Sequence, residues 1–205
     1  QVLDINGDPN KGKINYTVWS DVFICPNCGN EIIFWDAAVD KKKVKKVFEC
    51  NNCGMKVKKT DCDKAVNLMY DEGINETISM TKQVPVLIIY IAKKNRFEKT
   101  PDKRDFEIID KVNNMKIPYQ YPTVGLPNGF NTEQPKRSHG ITHSHHFYTK
   151  RNLFILSKFY SNSYNSKYKP LLYSVLLSSL ARASKRNRYM PEYGNRHVGV
   201  LSGTL

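Results

Sequence analysis

"CPNCG" at residues 25–29 and "CNNCG" at residues 50–54 form two matched turns, separated by 21 residues between Cys28 and Cys50. A gap of two residues lets both thiolates of one turn face a single ion, and a glycine follows each turn, where a positive φ is needed. The four thiolates of Cys25, Cys28, Cys50 and Cys53 predict a tetrahedral Zn²⁺ site.

Four protein ligands leave no coordination position for water, so we expect this zinc to be structural rather than catalytic. The alternative is a pair of unrelated redox turns, which the duplicated spacing disfavours. Cys62 has no second cysteine near it in the pattern, and we expect it to be a free thiol. An odd number of cysteines argues against a disulfide framework and favours the reducing cytoplasm.

Short antiparallel strands are predicted around both turns, because the flanking stretches are rich in β-branched and aromatic residues. "VDKKKVKK" (residues 39–46) is predicted to form the tip of a hairpin. Its lysines are candidate contacts to the phosphates of a nucleic acid, but lysines also protect a solvated strand edge from aggregation. These candidates are Lys41, Lys42, Lys43, Lys45 and Lys46.

The rest of the chain predicts an α+β fold of two parts: a zinc-ribbon β domain over residues 1–95 and a mainly helical segment over residues 96–205. Residues 78–94 predict one or two strands, with Pro85 at an edge or an entry point. Helices are predicted from Thr100 to near Asn114, after an N-cap at Thr149, and from Pro170 onward. Prolines and glycines predict a long loop over residues 117–148, and residues 161–169 a polar linker.

Net charge and the length of the apolar runs limit the kinds of partner that this chain is expected to bind. The net charge of +13 favours a polyanionic partner, and nucleic acid is the commonest one inside cells. No apolar run approaches the length of a membrane helix, so no membrane partner is predicted. The chain begins with Gln1 and ends on an apolar stretch, which suggests a segment of a longer polypeptide.

"HGITHSHHFYTKRN" (residues 139–152) contains four of the five histidines, namely His139, His143, His145 and His146. Helical spacing would pair His139 with His143, although Gly140 disfavours a helix, and a strand would pair His143 with His145. No carboxylate lies nearby in the sequence to complete a metal site. A structural role, a substrate or nucleic-acid contact, acid–base chemistry and a second metal all remain open.

Four blocks, in this order, resemble the zinc-ribbon-containing adenine-specific DNA methylases of bacteria and archaea. They are the cysteine turns, "FEKTPDKRDFEIIDKV" (residues 97–112), "HGITHSHHFYTKRNLFILS" (residues 139–157) and "RHVGVLSGTL" (residues 196–205). The resemblance covers about residues 16–205, and its most specific part is the histidine block. It implies a segment inserted in a Rossmann-like methyltransferase that uses S-adenosylmethionine in restriction–modification.

The resemblance also implies that this segment is not catalytic alone, because no G-x-G loop and no adjacent prolines occur in it to bind the cofactor and the target base. Its implied partners are DNA and the remainder of the methyltransferase chain. Lys150 and Arg151, together with the lysines of residues 41–46, are the candidate phosphate contacts. Two alternatives remain: a nuclease or phosphodiesterase with a histidine-bound metal, and a purely structural or protein-interaction zinc ribbon.

Overall fold

The computed structural model describes residues 2–3, 9–10, 12–41, 43–187 and 189–191. The chain forms two compact units that alternate along the sequence. The first unit comprises Gln1–Ala65 and Lys82–Ile108, and the second comprises Val66–Thr81 and Ile109–Leu205. The predicted domains are contiguous, and their boundary at residues 95/96 stays a prediction.

The strands are β1 (Val2–Leu3), β2 (Pro9–Asn10), β3 (Lys13–Ile24), β4 (Glu31–Ile33), β5 (Val39–Asp40), β6 (Lys43–Val44), β7 (Val47–Glu49), β8 (Lys56–Lys58), β9 (Asp63–Lys64), β10 (Val66–Asp71), β11 (Glu76–Thr81), β12 (Gln83–Ala92) and β13 (Asn95–Lys99). The helices are α1 (Phe34–Ala38), α2 (Lys103–Asn113), α3 (Phe130–His139), α4 (Lys150–Tyr164) and α5 (Lys169–Ala183). All strand pairs are antiparallel, which confirms the mixed α+β class.

The first unit is built on a five-stranded sheet in the order β13-β12-β3-β4, with β9 also paired to β3. Strand β12 lies between β3 and β13, but β13 pairs only with Ile88 to Ala92. At Pro85 the strand is therefore paired with β3 alone, next to a register shift. Because proline has no N–H to donate, it can occupy a position where one side of the strand is unpaired, as predicted.

The cysteine turns lie beside a small aromatic core. Phe34 contacts Phe23 and Phe48 edge to face, with ring centroids 5.6 and 5.5 Å apart. Cys25 and Cys50 are buried against the same cluster. The hairpins β5–β6 and β7–β8 confirm the predicted antiparallel strands, but residues 34–38 after β4 form a helical turn instead of continuing the strand. Because this core is small, other interactions must supply a large share of the free energy of folding.

In the second unit, β10 and β11 form an isolated two-stranded hairpin, called here the 66–81 hairpin. Helix α3 packs on β11, and Thr81 Oγ1 donates a hydrogen bond to the Ser138 carbonyl at 3.0 Å. A 3₁₀ turn at Ser144–Phe147 leads into α4, whose predicted N-cap is confirmed: Thr149 Oγ1 accepts the N–H of Asn152. Helix α5 packs against α4.

Three of the predicted boundaries were wrong. Helix α2 begins at Lys103, three positions after Thr100, because Asp102 and Asp105 accept each other's backbone N–H and form the N-terminal cap in place of Thr100. The loop predicted over residues 117–148 contains α3, which accommodates Pro135 in its interior. Helix α4 extends to Tyr164 and shortens the predicted polar linker to residues 165–168.

Candidate functional site

The four cysteines predicted as ligands are brought together by two turns of identical construction. Gly29 N–H donates to the Cys25 carbonyl and Gly54 N–H to the Cys50 carbonyl, both at 2.9 Å. The two glycines have φ values of 70° and 72°, as the sequence predicted. Cys25 and Cys50 are buried, whereas Cys28 and Cys53 are exposed. All four Sγ atoms lie within 4.8 Å of one another.

The sulfur spacing matches a metal site. Cys25 Sγ lies 3.7 Å from Cys53 Sγ, and Cys28 Sγ lies 3.7 Å from Cys50 Sγ. A tetrahedral zinc with Zn–S bonds of about 2.3 Å places its sulfurs roughly 3.8 Å apart. Two of the sulfur pairs therefore already have the spacing of a tetrahedral site, and all four sulfurs are close enough together to hold one metal ion.

Asn27 and Asn52 hold equivalent positions in the two turns, and each hydrogen-bonds to a sulfur of the opposite turn. The Asn27 side chain and the Met55 backbone N–H lower the pKa of the Cys53 thiol to about 6. The Asn30 backbone N–H and the Asn52 side chain lower the pKa of the Cys28 thiol. Neither asparagine was predicted from the sequence, although their shared third position in the two turns was visible there. They favour the thiolate form that a metal requires.

Cys62 lies outside the group of four among the residues the structure describes, as predicted. It is half-buried and packs against the aromatic core beside the turns. Burial, followed by the negative charges of Asp61 and Asp63, raises the pKa of its thiol. A neutral thiol is a poor ligand and a poor nucleophile, so Cys62 is best regarded as a packing residue.

The lysine hairpin forms as predicted, with Lys41 at its tip in a positive-φ conformation. Lys41, Lys43, Lys45 and Lys46 are exposed, and Lys42 lies outside the described residues. Lys45 forms an ion pair with Asp40 at 3.4 Å. Their contact with DNA stays a prediction.

Lys150 and Arg151, the other candidate phosphate contacts, begin α4. Lys150 is half-buried and its Nζ lies 3.3 Å from Glu72 Oε2, whereas Arg151 is exposed. Both line a shallow apolar groove of about 160 Å³ together with Val112, Met115, Ile117, Phe154 and Ile155. Of this pair, Arg151 has its charge more readily available to a ligand.

The histidine segment adopts neither the helix nor the strand considered from sequence. His139 is the last residue of α3, and Gly140 ends that helix with a φ of 69°. His143 forms one isolated bridge with Gly125, and the next four residues form a 3₁₀ turn. His139 and His143 therefore do not share a helix face, and His145 and His146 are both buried.

Asp71, at the end of β10, supplies the carboxylate that no sequence pattern indicated. Its Oδ2 lies 2.7 Å from His145 Nε2 and 2.6 Å from His146 Nε2. The Gly73 N–H donates to its other oxygen at 2.8 Å. Asp71 precedes the two histidines by 74 and 75 residues, so sequence spacing did not reveal this cluster.

The pKa shifts within the cluster keep the aspartate charged and His146 neutral. Burial alone would raise the pKa of Asp71, but hydrogen bonds from His146, His145 and Gly73 outweigh it and lower the pKa. Burial lowers the pKa of His146, and the bond to Asp71 offsets this only in part. His145 Nδ1 is buried with no partner among the residues the structure describes.

The Asp71–His145–His146 cluster could offer three ligands to one ion. Ligands about 2.0–2.1 Å from an ion lie roughly 3.3 Å apart in a tetrahedron and roughly 2.9 Å apart at a right angle. The observed separations of 2.6 and 2.7 Å are shorter and match charge-assisted hydrogen bonds.

The proton positions at His146 lead to the same conclusion. The backbone N–H groups of Thr142 and His143 both donate to His146 Nδ1, at 3.3 Å each. Nδ1 must therefore present its lone pair, which leaves the proton of the neutral ring on Nε2, facing Asp71. An ion at Nε2 would require that proton to move to Nδ1, against two N–H donors. The geometry favours a hydrogen-bonded cluster over a second metal centre.

The positive charge of the chain is concentrated in one stretch. Residues 111–191 contain 13 lysines and arginines and one acid, Glu133, whereas residues 1–110 contain 18 lysines and arginines and 17 acids. Nearly all of the net charge of +13 therefore falls in residues 111–191, which belong to the second unit. A polyanion would be attracted more strongly to that stretch than to the ribbon as a whole.

No protein-family model matches this chain, and neither a curated protein nor a solved structure matches it. Within the described ranges, every helix is too short or too polar to cross a bilayer.

Proposed function

We propose that this chain is the zinc-binding, DNA-contacting segment of an S-adenosylmethionine-dependent adenine-N6 DNA methyltransferase, and that it is not catalytic by itself. The convergence of four cysteine sulfurs within 4.8 Å of one another, with two pairs at the 3.7 Å spacing of a ZnS₄ tetrahedron, carries the zinc part of the proposal. The resemblance of the cysteine and histidine blocks to the methylase family supports the rest.

The zinc has a structural role in this proposal. Four cysteines fill the coordination sphere of the ion, so no water or substrate can bind to it. The ion joins the turn after β3 to the turn between β7 and β8, beside a core of only a few aromatic and aliphatic side chains. Metal binding then supplies folding free energy that the core alone does not.

The DNA-contacting role is supported by the exposed cations. Lys41, Lys43 and Lys46 project from a short hairpin. Phosphate contacts of this kind position a protein on DNA without reading its sequence. Methylation of a base amino group requires that the base leave the duplex, and a basic segment can hold the backbone while that happens.

Metal analysis tests the zinc site. We expect about one zinc per chain by mass spectrometry of the purified protein, and loss of that zinc with Cys28→Ser or Cys53→Ser. Cys62→Ser is the matched control and keeps the zinc. His145→Ala also keeps it, since the histidines form a separate hydrogen-bonded cluster. A second zinc that His145→Ala removes would instead favour a histidine-bound metal centre.

Anisotropy of a labelled duplex tests the DNA contact. The lysine-hairpin variant, with alanine at positions 41, 42, 43, 45 and 46, should weaken binding and reduce the salt slope of log K by about 0.9 for each phosphate that the variant no longer neutralises. A control variant with alanine at the exposed Lys13, Lys94, Lys103 and Arg104, all outside residues 111–191, should bind as the wild type does. Methyl transfer by the isolated chain with added S-adenosylmethionine would contradict the non-catalytic role.

A further inference from the structure

The connection between α4 and α5 gathers tyrosines and lysines at one corner of the second unit. Three of its tyrosines are exposed: Tyr160 by 37%, Tyr164 by 55% and Tyr168 by 57%. Lys167 lies in the connection, and Lys169 is the first residue of α5. These five residues are called here the tyrosine–lysine corner, and neither the zinc site nor the lysine hairpin includes them.

The tyrosine–lysine corner is ordered by its own hydrogen bonds and ring contacts. Ser166 N–H donates to the Ser163 carbonyl at 3.2 Å, and Lys169 N–H donates to the Ser166 carbonyl at 3.0 Å. The Tyr160 ring stacks on Tyr173 of α5, with centroids 5.4 Å apart and planes inclined by 21°. The corner can therefore present its aromatic faces without first losing much conformational freedom.

Each lysine of the corner lies over a tyrosine ring. Lys169 Nζ is 4.1 Å from the centroid of Tyr164, and Lys167 Nζ is 4.9 Å from the centroid of Tyr168. These cation–π contacts hold a positive charge beside each exposed ring. A ligand with a flat aromatic group next to a negative charge would match this arrangement, because both of its parts meet a partner at once.

The stretch of sequence that contains the corner carries charge of one sign. No aspartate or glutamate occurs between Glu133 and Glu192, whereas Lys158, Lys167 and Lys169 fall within twelve residues of one another. An ordinary solvated surface mixes both signs, and this stretch does not. Its partner is therefore expected to be a polyanion.

We propose that the tyrosine–lysine corner binds the unpaired bases of single-stranded nucleic acid. Bases stack on exposed aromatic rings while the adjacent phosphates meet the lysines, a combination that tolerates any sequence. Duplex DNA fits this surface less well, because its bases are stacked on one another and only its phosphates and groove edges are accessible. The inference rests on the proposed function, in which the chain works where a base has left the duplex.

The test uses the zinc-loaded chain of 205 residues and fluorescence anisotropy at low salt. The probes are an oligothymidylate and an oligouridylate of about twelve nucleotides and a DNA duplex of the same length. The double variant Tyr164→Ala with Tyr168→Ala should lose roughly 5-fold to 150-fold in single-strand affinity for each stacked ring. Its affinity for the duplex should remain within about 2-fold of the wild type, since phosphate contacts are untouched.

Two control variants show whether a loss of affinity comes from lost stacking, rather than from misfolding or from the removal of any exposed ring. Tyr164→Phe with Tyr168→Phe keeps both rings and should bind like the wild type. Tyr70→Ala removes a ring that is 61% exposed on the 66–81 hairpin and should change nothing. Circular dichroism and zinc content establish that each variant is folded.

The outcomes distinguish this proposal from the one on which it rests. Loss of single-strand binding in the alanine variant alone supports the corner, and the better of the two oligonucleotides identifies DNA or RNA as the ligand. Unchanged single-strand binding, or an equal loss on duplex and single strand, overturns the corner while duplex binding by the lysine hairpin still stands. Failure of the wild type to bind any of the three probes overturns both.

Discussion

Asn27 and Asn52 show how much a metal site depends on residues that do not touch the ion. Each lies one position before the last cysteine of its turn, and each side chain hydrogen-bonds to a sulfur across the site. Groups that hydrogen-bond to metal ligands fix their orientation and their charge. The cross-connection also makes each turn depend on the other for its thiolate character.

We expect Asn27→Ala and Asn52→Ala each to lower zinc affinity by about 10-fold to 100-fold, because the opposite thiolate loses a donor. Competition with a chromophoric chelator measures this change. Asn51→Ala is the matched control: Asn51 is exposed in the same turn, and it is not one of the groups that hydrogen-bond to Cys28 or Cys53. Equal reductions in Asn51→Ala and Asn52→Ala would show that the turn and not the hydrogen bond is responsible.

The cysteine turns could be predicted from the sequence, whereas the role of Asp71 could not. The spacing of Cys25 and Cys28 is local, so the turn that unites them follows from the chain geometry of a few residues. Asp71 meets His145 and His146 only through tertiary packing across 74 and 75 residues. No periodicity links such positions, and the sequence therefore suggested that the histidines had no acidic partner.

At the scale of elements, the end of α3 decides where the 66–81 hairpin sits. Gly140 takes a left-handed φ of 69°, and its backbone lies directly against the Ser79 carbonyl and the Met80 Cα of β11. In the sequence, Gly140 and the prolines before it indicated a loop. Pro135 deprives α3 of one backbone hydrogen bond, but the N–H groups of Gly140 and Ile141 donate to the carbonyls of its last turn and hold that end together.

Gly140→Ala should destabilise the protein by about 2–4 kcal/mol, since its Cβ would overlap the Ser79 carbonyl in a backbone conformation that alanine disfavours. Urea unfolding measures the change. Gly129→Ala is the matched control at the other end of α3. It has an extended φ of 164° and ordinary space for a Cβ, with Thr132 Oγ1 at 3.5 Å, so its effect should stay within about 0.5 kcal/mol. Similar destabilisation in the two variants would mean that the close approach at Gly140 is unimportant.

For the whole molecule, the Asp71–His145–His146 cluster makes stability depend on pH. The pKa of His146 is lower in the folded protein than the ordinary 6.5, so the unfolded chain takes up a proton first as the pH falls. Stability is then complete above about pH 6.5 and declines below it, down to the lowered pKa. Asp71, whose pKa is also lowered, adds a second decline below about pH 4.

We therefore expect the free energy of unfolding to fall between pH 7.5 and pH 5, by at most about 1.4 kcal/mol per pH unit from His146. Urea titrations at several pH values give the slope, and NMR titration of the His146 ring assigns it. A His146 pKa at or above 6.5 in the folded protein would refute this account.

The separation of 74 positions between Asp71 and His145 also matters during protein synthesis. A ribosome adds roughly 5–20 residues per second, so the 66–81 hairpin waits about 4–15 s for its histidines. Throughout that interval the apolar side chains of Leu68 and Met69, which stay 76% and 49% exposed in the finished fold, lie on a hairpin that has its own strand pairing but neither α3 nor the histidines to pack against. We therefore expect chaperones to bind this protein more during its translation than during refolding of the complete chain.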